Sequence, residues 1–86
     1  MTAEEKLLAN GYEDVVILQD YSYDDALIGV TEDERRAVYD YHKMVAWLVE
    51  TKGFTPDEAV EWIEYNTIRA LGYMGPNAPI ILVPLQ

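Results

Sequence analysis

The sequence predicts one α+β domain over residues 1–86, a small, mostly antiparallel four-stranded sheet with two consecutive helices on one face. Three observations lead there. Capping boxes at Thr2–Glu5 and Thr55–Glu58 mark helix starts. Short β-branched or apolar runs recur at Val15–Leu18, Ala26–Thr31, Arg36–Tyr39 and Ile80–Val83. A chain of 86 residues that is 50% hydrophobic and 12% aromatic can fill a single core without disulfides or metal.

In chain order, the first capping box opens a short helix from Ala3 to Asn10, with Leu7 and Leu8 as its apolar contacts and Gly11 as its stop. Val15-Val16-Ile17-Leu18 has strand length. Ala26–Thr31 and Arg36–Tyr39 pair as a hairpin whose turn, Glu32 to Arg35, has an acidic tip. Asp40 caps a helix that runs to Lys52 and stops at Gly53. Tyr41, Met44, Val45 and Leu48 form its apolar stripe at i, i+3, i+4 and i+7. Thr55, with Pro56 at the first helical position, opens the next helix, which continues to Leu71. Tyr73 to Pro79 is a turn-rich connector, and Ile80–Val83 is a last strand stopped by Pro84. The order is α-β-β-β-α-α-β. Val15–Leu18 and Ile80–Val83 are apolar at four successive positions, so both faces of those strands require cover. Either the sheet curls around its core or a second copy completes it, which leaves a homodimer open.

Charge is concentrated in the N-terminal part. Residues 1–34 hold ten of the sixteen acids against Lys6 alone, net −9, while residues 35–86 hold six acids and five bases, net −1. Tyrosines stand among those acids in Asp20-Tyr21-Ser22-Tyr23-Asp24-Asp25. Such a surface repels nucleic-acid and membrane phosphate and attracts a basic protein groove. The absence of cysteine excludes disulfides, thiolate metal sites and cysteine catalysis. Met1–Glu5 lacks the basic and apolar regions of a secretory signal, and no apolar run is long enough to span a bilayer. The expected setting is the cytoplasm.

No motif carries a reaction. His42 has Asp40 two residues away, the wrong spacing to face it along a helix, and Ser22 has no base beside it. Asp20, Asp24 and Asp25 lack the alternating pattern and central glycine of a calcium loop, so neither metal nor cofactor is expected. These aspartates read as a solvated loop or as contacts to a cationic partner. The tip Glu32-Asp33-Glu34, followed by Arg35-Arg36, reads as a solvated turn or as an element that enters a basic groove. Asn66, on the core side of its helix, and Arg69 read as bonding the carbonyls of the following connector or, with Tyr65, as part of a pocket or partner surface. Trp62, Tyr65 and Arg69 read as core packing or as an aromatic patch for protein contact.

The strings Tyr23-Asp24-Asp25-Ala26-Leu27-Ile28-Gly29-Val30, Val38-Tyr39-Asp40-Tyr41 and Glu61 to Leu71 resemble small acidic proteins encoded in phages and prophages of Gram-positive bacteria, over Val15 to Val83. That family lacks an assigned chemistry and supplies no catalytic residue. The resemblance implies a genomic context in which small acidic proteins often inhibit bacterial defence systems or host enzymes, including anti-CRISPR proteins that occupy a basic channel. The expectation is a non-enzymatic protein-binding module of this inhibitor type. Asp20, Asp24, Asp25, Glu32, Asp33 and Glu34 would meet basic residues of the partner, and Tyr21 and Tyr23 would add apolar contact. The alternative is a structural or regulatory homodimer whose sheet is completed by its twin.

Overall fold

The Thr2 hydroxyl accepts from the Glu5 amide and the Glu5 carboxylate accepts from the Thr2 amide, so helix α1 (Ala3–Ala9) begins where the capping box places it. The computed structural model describes residues 1–85. Beyond α1 come a single 3₁₀ turn (Asp24–Ala26), strands β1 (Leu27–Val30) and β2 (Ala37–Asp40), and helix α2 (Tyr41–Lys52). Helix α3 (Pro56–Trp62) runs without a break through a π-helical turn (Ile63–Thr67) into the short α4 (Ile68–Ala70) and a 3₁₀ turn (Leu71–Tyr73). Strand β3 (Ile80–Leu82) closes the order.

The class is α+β, but the sheet differs from expectation. It has three strands in the order β1-β2-β3, antiparallel between β1 and β2 and parallel between β2 and β3. Parallel pairing follows from the connection, because the helices between β2 and β3 carry the chain back to the end from which β2 starts. The fourth strand, Val15–Leu18, is absent. That segment is irregular, with Leu18 buried in the core and Val15 and Ile17 half-buried against it by packing alone. The Leu18 amide donates to the Tyr39 hydroxyl at 3.3 Å instead of to a strand. A run of β-branched residues needs burial, and here burial comes without a ladder.

The hairpin sits where the sequence places it, with a bulge between Leu27 and Gly29. Thr31 closes its loop, with backbone N–H to Arg36 O at 2.8 Å and its hydroxyl accepting from Arg36 N at 2.9 Å. Arg35 takes a left-handed conformation (φ 55°) to turn the corner.

The core lies between the inner face of the sheet (Leu27, Ala37, Tyr39) and α2, α3 and the π turn (Met44, Trp47, Leu48, Ala59, Ile63). Met44 and Leu48 of the α2 stripe are fully buried, while Tyr41 and Val45 are half-buried. In an unbroken α-helix Asn66 and Ala70 would continue the buried side set by Ala59 and Ile63. The π turn admits an extra residue and rotates the remainder of the helix. Thr67 therefore lies in the core and Asn66 and Ala70 are exposed. This corrects the expected role of Asn66 and Arg69. The Asn66 amide bonds Trp62 O, and the Arg69 guanidinium lies over the Tyr65 ring, 4.9 Å from its centroid. The connector is held instead by Arg36, whose Nε donates to Ala78 O at 2.8 Å. Among the described residues no helix is long and apolar enough to cross a membrane.

Candidate functional site

The acidic tyrosine loop folds largely inward. Tyr23 is 0% exposed and adopts φ 45°, a left-handed conformation that a bulky side chain rarely takes. Its hydroxyl meets Thr67 Oγ1 at 2.8 Å, and Thr67 in turn donates to Asp20 Oδ2. The same Asp20 oxygen accepts from Trp62 Nε1 at 3.0 Å. Asp20 thus serves as the acceptor that ties the loop to the π turn. Burial, opposed by the Thr67 hydrogen bond, pushes the Tyr23 phenol far above the usual tyrosine range, so the group stays protonated and donates along this chain.

Tyr21 is half-buried in a cluster of rings, with centroids at 5.3 Å from Trp62, 6.0 Å from Trp47 and 6.3 Å from Phe54. Lys52 Nζ lies 5.2 Å above the Tyr21 ring. Asp24 Oδ1 accepts from the Ala3 amide at 2.8 Å, and the Asp24 carbonyl accepts from Lys6 Nζ, which also reaches Leu27 O at 3.2 Å. Asp24 therefore docks α1 onto the 3₁₀ turn. Of the residues in this loop expected to face a partner, Asp25 presents an exposed carboxylate with no hydrogen bond or ion pair among the described residues, and Tyr23 belongs to the core.

The tip behaves differently. Glu32, Asp33 and Glu34 are all exposed. Asp33 Oδ1 accepts from the Glu34 amide at 2.8 Å, and Glu34 Oε1 pairs with Arg36 at 3.5 Å. The loop and the tip stand at opposite ends of β1, which places roughly 13 Å of strand between them. Two further acids stand near the tip. Glu34 shares an open cavity of about 330 Å³ with Glu13 and Asp14, where Arg35 and Tyr12 also contribute. Arg35 lies over the Tyr12 ring at 5.7 Å. Nothing in the sequence singles out Glu13 and Asp14, because a strand at Val15–Leu18 gives no reason to bring the preceding turn beside the hairpin tip.

The disposition of the bases matters as much. Lys6 bonds carbonyls, Arg36 bonds a carbonyl as well as Glu34, and Arg35, Lys52 and Arg69 lie over aromatic rings. The Arg36–Glu34 contact is the one ion pair among the described residues, in a chain with sixteen acids.

Comparison with protein-family models, curated proteins and solved structures finds no match to this chain.

Among the described residues no three His, Asp or Glu side chains converge as a metal site. His42 is exposed at the start of α2, with the Tyr41 ring beside it at 6.2 Å. The cavities are open and shallow. One of them, about 310 Å³, is lined by Phe54, Glu58, Glu61, Trp62, Tyr65 and Asn66, and includes Trp62 and Tyr65 of the expected aromatic patch.

Proposed function

We propose that this protein is a small, non-enzymatic acidic binding module, a phage-derived inhibitor that covers a basic surface on a nucleic-acid-binding protein of its bacterial host. One observation carries the reading. The fold directs five of its six bases, all but Lys43, to carbonyls and rings, so a net charge of −10 is left almost without internal ion pairs. Surface carboxylates in that state repel one another and are relieved by a cationic partner. The contact surface is the edge formed by the tip (Glu32, Asp33, Glu34) with Glu13 and Asp14 beside it, and Asp25 at the far end of β1. Asp20, though exposed, and half-buried Asp24 hold the loop in place through the hydrogen bonds their carboxylates accept. Charge steers the encounter and makes it salt-sensitive.

The test is a calorimetric titration with an arginine nonapeptide. The wild-type chain binds it, and the variant Glu13→Gln, Asp14→Asn, Glu32→Gln, Asp33→Asn, Glu34→Gln binds at least about tenfold more weakly, a loss of about 1.4 kcal/mol. Equal binding by both chains contradicts the proposal.

A second reading, a homodimer completed through its sheet, is favoured by a different observation. β3 is an edge strand that ends in exposed Leu82 and is followed by exposed Val83 and Leu85, and residues 70–86 contain no charged side chain. In so acidic a chain this is the stretch along which a second copy can approach without like-charge repulsion. Sedimentation at monomer mass at high protein concentration removes that reading. A dimer that Val83→Lys dissociates supports it.

A further inference from the structure

The cavity behind the aromatic loop carries a chemistry of its own. Phe54 and Trp62 meet at a corner, with centroids 6.0 Å apart and planes at 63°. Trp62 is fixed in that orientation because its indole N–H is bonded to Asp20. Tyr65, 58% exposed, is brought to the third side by the π turn. Two carboxylates stand on the rim. Glu58 has one oxygen tied to the Thr55 amide at 2.8 Å, and Glu61 makes no hydrogen bond or ion pair among the described residues. No base lines the cavity.

Rings beside carboxylates suit a planar cation; Arg69 already stacks on Tyr65, while no base is among the residues lining the Trp62–Phe54 corner. A guanidinium stacks on an aromatic face while its N–H fork reaches carboxylate oxygens. The protein already uses this contact twice, with Arg69 over Tyr65 and Arg35 over Tyr12. An ammonium would satisfy the charge but not the stacking. We propose that this cavity receives one arginine side chain of the protein partner, seated against Trp62 and Phe54 and bonded by Glu61. This deepens the proposed function and rests on it, because it names the residue that a basic partner inserts. It also places a contact away from the acidic edge, so the partner would be gripped at two separate points.

The probe is the tripeptide N-acetyl-Gly-Arg-Gly-amide, followed by ¹H–¹⁵N NMR, with the citrulline tripeptide as its neutral isostere. The expected result is saturable shifts of the Trp62 indole N–H and the Glu61 and Tyr65 amides with the arginine peptide and none with citrulline. Glu61→Gln and Tyr65→Ala, both at exposed positions, should each weaken that binding about two- to fivefold. Three results overturn the proposal: equal shifts from citrulline, shifts confined to residues 13–14 and 32–34, or no shifts at all. The nonapeptide titration compares chains that differ only at the acidic edge. A failed pocket and a failed edge are therefore separate outcomes.

Discussion

The hydroxyls of Tyr23 and Thr67 meet at 2.8 Å across 44 residues of chain, buried between the acidic loop and the π turn. This bond explains two local departures from rule. Tyr23 is held at a positive φ that costs about 1–3 kcal/mol. The helix widens at Ile63–Thr67 so that a threonine, in place of Asn66, faces inward. Tyr23→Phe and Thr67→Val should each destabilise the fold by about 1–2 kcal/mol, since each removes a buried hydrogen bond and leaves the remaining hydroxyl with Asp20 as its only partner. The double variant should cost less than the sum of the two, as measured by urea unfolding. Full additivity would show that the two residues act independently.

Asp20 separates structural acid from binding acid. It accepts from Trp62 and Thr67 through one oxygen, so Asp20→Asn should lower the urea midpoint, at about 1–3 kcal/mol. Its binding to the arginine nonapeptide, measured while the variant is folded, should stay close to wild type. A large loss of binding with no loss of stability would return Asp20 to the contact surface.

Much of the fold was legible because local chemistry coincided with tertiary demand. Both capping boxes, the Asp40 cap and the Gly53 stop stand where residue type alone places them. The hairpin was legible for a similar reason, despite its turn lacking a glycine. Val15–Leu18 was not. A short apolar run states that it will be buried but not whether its backbone reaches a sheet edge, and here the Leu18 amide finds the Tyr39 hydroxyl. The π turn was hidden too, since no single residue encodes it and it depends on the Tyr23–Thr67–Asp20 chain forming. The acidic surface was half legible. Exposed Glu32, Asp33 and Glu34 follow from a hairpin tip, whereas the inward commitments of Asp20, Asp24 and Tyr23 depend on partners 21 to 47 residues away.

Alkaline pH should weaken the fold through its buried phenols. Burial, opposed by the Leu18 amide, pushes Tyr39 up to about 12, and burial pushes Tyr23 higher still. The unfolded chain ionises these groups near pH 10, so above that value it releases protons that the folded chain retains. Stability is therefore unaffected by these groups below about pH 10 and falls as pH rises from 10 through 12. Tyr39 alone should account for about 2 kcal/mol by pH 12. Tyrosinate absorbance and helical circular dichroism should show the last two phenols ionising together with unfolding. A urea midpoint that stays flat over this range contradicts the assignment.

The most direct test of the binding account is capture from a lysate of a Gram-positive bacterium, using the wild-type chain and the variant with amides at positions 13, 14, 32, 33 and 34. Both are compared at about 50 mM and about 300 mM salt, where the screening length falls well below the span of the acidic edge. The account predicts that the wild-type chain retains a basic nucleic-acid-binding protein at low salt and releases it at high salt. The variant should retain little of it at either. The same captured protein on both chains, held equally at both salt concentrations, would contradict a charge-directed inhibitor.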